Sequence, residues 1–139
     1  MKGDRIAYQD GYKYQLAKTY AVQTDIIPMQ DVVTEYILLG MTGWLTIMEG
    51  YAWDGPSGPT FDTPDFMRGS LVHDALYQLM RQKHLDPDIY RERADNLLRS
   101  VCLEDGMPHF RAQYVYEGVR AFGSSSADPA NDKPIIEAP

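Results

Sequence analysis

Cysteine is nearly missing from this chain. Cys102 stands alone among 139 residues, so no internal disulfide can form. A secreted domain of this size more often carries paired cysteines, and the sequence therefore points to a reducing compartment. Basic side chains are also scarce: 13 Lys and Arg against 20 Asp and Glu give a formal net charge of -7. That balance argues against a nucleic-acid surface, which needs clustered Lys and Arg, and against electrostatic attachment to an anionic membrane. No long hydrophobic run is present. The most apolar stretch, residues 36–53, is broken by Gly40, Gly43, Glu49 and Gly50, so no transmembrane segment is expected. The opening residues MKGDRIAYQDGYKYQ lack an apolar core, so no signal peptide is expected either. There is no internal repeat. An apolar fraction of 44% suits one ordinary core, and the chain reads as a single domain over 1–123 followed by an extended tail over 124–139.

What is present divides by period. Residues 12–25 are rich in Tyr, Val and Thr and predict strand. Tyr36 to Leu39 and Trp44 to Met48 flank Gly40-Met41-Thr42-Gly43, the signature of a hairpin. Residues 54–64 (DGPSGPTFDTP) are a breaker-rich loop. Then the period becomes helical. A first helix over 65–82 is predicted, with Thr63 as N-cap, Pro64 in the first turn and Asp65 complementing the dipole. Its apolar face carries Leu71, Val72, Ala75, Leu76, Leu79 and Met80. A second helix over 88–103 buries Tyr90, Ala94, Leu97, Leu98 and Val101. A third, over 108–122, is expected to bury Phe110, Tyr114, Val115, Val119 and Phe122, with Gly123 as C-cap. The class is α+β: an N-terminal antiparallel sheet packed on a three-helix unit. The polar, proline-rich tail is expected to be disordered alone and ordered against a neighbouring chain.

His73 and Asp74 concentrate the chemistry. On a helical wheel His73 lies at the edge of the apolar face, with Tyr77 one turn on, at i+4. Asp95 takes the matching edge of the second helix. A short connection makes the two helices antiparallel, which brings His73 and Asp95 to the seam. A carboxylate there fixes the imidazole tautomer and stabilises its protonated form, and Tyr77 can donate to Asp95. Asp74 points toward the preceding loop, whose carbonyls can join it around a hard cation such as Ca²⁺.

The sequence H-D-x-x-Y on a helix (His73-Asp74-Ala75-Leu76-Tyr77), after a glycine-containing loop (residues 51–58) and before a helix bearing Ala94-Asp95-Asn96-Leu97-Leu98, resembles phospholipase A2. The likeness is to the short, disulfide-free form in parvovirus capsid proteins, and covers residues 51–103. It implies a phospholipase-A2-like helix pair, His73 as general base, Asp95 as its orienting partner and Asp74 as a Ca²⁺ ligand. Carbonyls near Trp53, Gly55 and Gly58 complete the implied site, and a lipid ester is the implied substrate. Asp54 and Pro56 depart from that family's tight Gly-x-Gly loop.

Over the whole chain the pattern is similar to a small family encoded by tailed bacteriophages and prophages. It comprises a β-rich start, Asp54-Gly55-Pro56-Ser57-Gly58-Pro59, Leu71 to Tyr77, Arg91 to Asp95, and Tyr116 to Gly123. That resemblance implies a virion protein of the tail or baseplate, made in the host cytoplasm. Its neighbours would be other phage structural proteins, met through residues 124–139. It implies no activity.

A non-enzymatic reading stands beside the hydrolase. His73, Asp95 and Tyr77 can form a network that only locks the fold of a structural or adaptor protein. Other chemistries have less support. A metal phosphohydrolase needs further histidines, and His84 and His109 fall in a turn and at a helix start. Ser57 and Ser70 lack a G-x-S-x-G context. Cys102 reads as a small buried hydrophobe.

Overall fold

Strands occupy the first part of the chain, where Val, Ile, Tyr and Trp cluster between turn residues, and helices the second. The computed structural model describes residues 8–10, 14–53 and 63–128. Gly55, Gly58 and residues 129–139 of the expected tail lie outside the described residues. The described chain falls into two compact units, one of strands (residues 8–53) and one of helices (residues 63–128). Each is α+β's separate half, as the change of period requires.

The strand unit holds two antiparallel sheets. One is β1 (Tyr8–Asp10), β2 (Tyr14–Leu16) and β7 (Ala52–Trp53), in the order β1-β2-β7. The other is β3 (Tyr20–Gln23), β4 (Val32–Val33), β5 (Ile37–Leu39) and β6 (Trp44–Ile47), in the order β3-β6-β5-β4. The strand-forming stretch 12–25 contributes β2 to one sheet and β3 to the other. The break follows Leu16, whose backbone pairs locally with Gly50 and Tyr51. The expected hairpin is β5–β6. Gly43 closes it with φ of 86°, a conformation that favours glycine, and its N–H donates to the Gly40 carbonyl at 2.8 Å. Ile37, Leu39, Leu45 and Ile47 alternate onto one face and are fully buried.

The helical unit contains α1 (Pro64–Arg81), α2 (Pro87–Glu104), α3 (His109–Phe122) and a short α4 (Ser124–Ala127). Thr63 holds the N-cap position of α1, yet its hydroxyl donates to Asp65 instead of accepting from the helix backbone. Lys83, at φ of 67°, turns the chain after α1, and Asp86 caps α2 by accepting from the Asp88 N–H at 2.9 Å. α1 is buried from Phe66 to Met80 except at Asp74, which is half-buried. This is the burial of a central helix, and it exceeds the one-sided face the sequence suggests.

α1 and α2 run antiparallel. Arg68 meets Glu104 and Asp105, Gly69 meets Leu98 and Cys102, and His73 meets Asp95. A side chain at Gly69 would place Cβ 2.8 Å from the Cys102 sulfur, so glycine sets how closely these helices approach. α3 packs on α2 through a cluster that includes Phe66, Leu98, Cys102, Met107, Ala112 and Val115. Val115 is buried as expected, but Phe110 and Tyr114 are exposed, and Ala112, which the expectation left out, is buried. The apolar stripe of α3 was assigned to its large side chains, whereas the close approach of the helices selects a small one. Ser124–Ala127, the first part of the expected extended tail, forms a helical turn that touches α1, α2 and α3.

Candidate active site

Three helices deliver side chains to one carboxylate. Asp95, on α2, is fully buried. Its Oδ1 accepts from the Tyr77 hydroxyl at 2.6 Å and lies 2.7 Å from His73 Nε2, both on α1. Its Oδ2 accepts from Arg120 of α3 at 2.8 Å, and Arg91, one turn earlier on α2, stands 3.7 Å away. The i, i+4 spacing of His73 and Tyr77 puts both on one stripe of α1, with ring centroids 4.1 Å apart. The sequence expectation that His73, Tyr77 and Asp95 converge therefore matches the observed geometry.

The orientation of the imidazole is informative. Its Nε2 is committed to Asp95. Nδ1 has no hydrogen-bond partner among the described residues. Yet among them no buried side-chain nitrogen or oxygen is left unpaired. Nδ1 therefore lies where water reaches it, which accounts for the small exposure that His73 keeps.

The electrostatics follow from these partners. Burial alone would raise the Asp95 pKa, but hydrogen bonds from His73, Tyr77 and Arg120 overcome it and hold the carboxyl below its ordinary value near 3.8. Burial, then the adjacent carboxylate, pushes the Tyr77 phenol well above its ordinary 10, against a smaller opposing effect of Arg91. Tyr77 thus stays a donor at any ordinary pH. Burial lowers the Arg120 pKa, but the Asp95 contact raises it more.

Two members of the cluster, Arg91 and Arg120, were not assigned a role from sequence. Both sit inside the quoted motifs, Arg91-x-x-Ala94-Asp95 and Tyr116-x-x-Val119-Arg120. Arg91 was legible as an i, i+4 partner of Asp95. Arg91 also donates to the Val119 carbonyl at 3.2 Å, which ties α2 to the end of α3. Gly123 occupies the C-cap as expected, but with φ of -82°, outside the left-handed region. A Cβ there would stand 2.5 Å from the Val119 carbonyl oxygen and 2.7 Å from the Tyr77 hydroxyl, so the absence of a side chain accommodates both the local backbone and Tyr77.

Of the implied Ca²⁺ ligands, Asp74 and Trp53 fall on described residues. Asp74 is half-buried on α1, and Trp53 is a buried residue of the strand unit on β7. Gly55 and Gly58 are outside the described residues. Among the described residues no group of three or more His, Cys, Asp or Glu side chains could hold a metal ion. Ca²⁺ takes roughly six to eight oxygens, backbone carbonyls among them, so a count of side chains alone does not test the implied site. Among the described residues no helix is long and apolar enough to cross a membrane. Comparison with known proteins gives no match to a family model, to a curated protein or to a solved structure.

Proposed function

We propose that His73, Asp95 and Tyr77 form the base of a hydrolytic site acting on the carboxylic ester of a lipid. The phage resemblance would place such a protein in a virion, facing the host envelope. The single observation that carries the reading is the imidazole held by a buried carboxylate at Nε2 while Nδ1 remains open to water. In the reaction, His73 Nδ1 removes a proton from a water as its oxygen bonds to the ester carbonyl carbon. Asp95 stabilises the imidazolium across the Nε2 contact. Nδ1 then gives the proton to the departing alcohol oxygen as the ester C–O bond breaks, leaving acid, alcohol and a neutral imidazole. Tyr77 keeps its proton and holds Asp95 in place. Polarisation of the carbonyl is the part the phospholipase resemblance gives to Ca²⁺. No step here is routed through a metal.

The test is fatty-acid release from phosphatidylcholine mixed micelles, with Ca²⁺ and with chelator. The full chain is expected to release acid. His73→Asn is expected to lose at least about a hundredfold with its circular dichroism unchanged, in keeping with the usual worth of a general base. No release in either condition, or release that survives His73→Asn, refutes the proposal.

A second reading is favoured by a specific observation. Both oxygens of Asp95 are engaged, by groups from three helices, with no exposure at all. That saturation suits a lock for a non-enzymatic structural or adaptor protein of a phage particle. It expects no release, and large stability losses on substitution of either His73 or Asp95.

A further inference from the structure

Antiparallel sheets in soluble proteins commonly turn one apolar face inward and a polar face to water. The sheet β3-β6-β5-β4 departs from this. Its inner face is buried, through Ile37, Leu39, Leu45 and Ile47. The register puts Val33 opposite Leu38, Leu38 opposite Thr46, and Thr46 opposite Ala21, so one row crosses all four strands on the other face. Trp44 and Met48 flank Thr46 at i-2 and i+2 and share that face by strand geometry. Val33 is 70% exposed, Trp44 49% and Met48 36%, and Leu38 and Ala21 are half-buried. Thr46 and Gln23 add uncharged polar groups to this face, and the Asp31 carboxylate lies at its edge beside Gly40.

The charge of the described strand unit is predominantly acidic, with exposed Lys18 just before β3 as the exception. Between Lys18 and Arg68 the chain contains no Lys, Arg or His. Asp25, Asp31, Glu35 and Glu49, all exposed, belong to this same unit. Trp and Met are residues enriched at the centres of protein interfaces. The face is also pre-shaped. The Gln23 amide donates to Thr42 at 2.6 Å and the Thr24 hydroxyl to Gly43 at 2.7 Å, and the Asp31 carboxylate accepts from the Met41 N–H at 2.9 Å. Little ordering cost remains to be met on binding.

We propose that the outer face of the four-stranded sheet, centred on Val33, Leu38, Trp44 and Met48, is a docking surface for a protein segment that is apolar on its contact side and basic at its rim. Charge selects among the occupants. A second copy would set the same acidic surface against itself, and like charges disfavour that pairing. An anionic lipid surface is repelled for the same reason. A basic partner gains both burial and attraction. This inference is independent of the His73 site.

The experiment uses the full chain and an amphipathic helical peptide built from Lys and Leu, with a Glu-for-Lys counterpart of equal apolar content. Trp44 emission is the reporter, since Trp53 is buried. The Lys peptide is expected to blue-shift the emission saturably, more weakly at higher salt, and the Glu peptide to leave it unchanged. The Val33→Ser/Met48→Ser double variant, altered at exposed positions and checked for unchanged melting, is expected to bind at least about tenfold more weakly. Absence of binding, equal response to both peptides, or a double variant that binds as wild type overturns the proposal. So does a dimer in sedimentation equilibrium that the double variant abolishes, which assigns the face to a second copy. A shift with phosphatidylcholine vesicles, with or without phosphatidylglycerol, assigns it to lipid and overturns the proposal likewise.

Discussion

Asp95→Asn isolates the charge at the centre of the helical unit with almost no change of shape. The amide offers one acceptor oxygen where the carboxylate offers two. If that oxygen keeps Tyr77 and His73, the NH₂ group faces the Arg120 guanidinium, donor against donor; if it turns to Arg120, the clash moves to Tyr77. Breaking a buried ion pair costs about 3–5 kcal/mol, and a hydrogen bond to a charged group is worth about 1.5–3. The Arg120 side chain is 31% exposed and can rehydrate in part, which places the expected loss near the lower figure, about 3 kcal/mol. With a urea slope of roughly 1–2 kcal/mol/M, the midpoint falls by about 1.5–3 M. Far-UV dichroism at the helical band reads this transition. Tryptophan emission serves as internal control, because Trp44 and Trp53 both belong to the strand unit. The sign in pH is fixed as well. The Asp95 pKa lies lower in the fold than in the unfolded chain, so its stabilisation is complete above about pH 4 and is lost as pH falls through the folded value. The gap between wild type and Asp95→Asn should therefore close on acidification. A loss under 1 kcal/mol at pH 7, or one that stays constant down to pH 3, refutes the electrostatic account.

Gly123→Ala should cost about 1–3 kcal/mol in urea melts, because its Cβ would crowd the Val119 carbonyl oxygen and the Tyr77 hydroxyl at once; a neutral result would show that the end of α3 relaxes freely. Burial pushes the Cys102 thiol up to about 12, so it should resist a thiol reagent at pH 8 until urea unfolds the helices. Because the folded value is the higher one, that contribution to stability is present below about pH 9 and is lost as pH rises toward 12, which an alkaline melt of Cys102→Ala against wild type checks. Arg68→Met should cost about 1–3 kcal/mol, since the buried guanidinium binds both Asp105 oxygens and Glu104, while Glu104 is exposed enough to rehydrate; a neutral result in the same melts counts against that lock.

Local pattern carried much of this structure. Pro64 and Asp65 marked the start of α1, Gly40 to Gly43 marked the hairpin, and the i, i+4 pair His73 and Tyr77 with Asp95 across a short turn marked the carboxylate cluster. These depend on neighbours a few residues away or on one antiparallel contact. What local pattern left undetermined depends on longer range. Residues 12–25 look uniform in composition, and only pairing partners distant in sequence decide that Leu16 ends one strand and Tyr20 begins another sheet. Phe110 and Tyr114 are the largest apolar side chains on α3, but how close α3 comes to α2 determines which stripe turns inward, and Ala112 and Val115 fit that spacing. Gly123 is the C-cap that local pattern indicates, and its second constraint, a phenol 46 residues earlier in the chain, is not visible locally. Arg120 was visible as a letter in a motif, and its destination on Asp95 was not.

The saturation of Asp95 does not decide between chemistry and structure, because a general base needs the same anchoring that a lock needs. An imidazole that rotates freely presents its lone pair to water only part of the time; fixing Nε2 on a carboxylate that is itself fixed removes that loss. What separates the two uses is the other nitrogen. A purely structural histidine gains by satisfying both ring nitrogens within the protein, since an unmet one gives up a hydrogen bond worth about 1 kcal/mol. Here the buried polar side-chain atoms among the described residues are all paired, and His73 Nδ1, which has no protein partner among them, is left to solvent. Substituting Asp95 and His73 in turn makes the distinction measurable. If the imidazole only braces the carboxylate, His73→Gln, which can still donate to Oδ1, should restore most of the stability and change nothing else. If Nδ1 handles a proton, the same variant should fold normally and release no fatty acid, and a His73→Gln protein that keeps full release ends the hydrolytic reading.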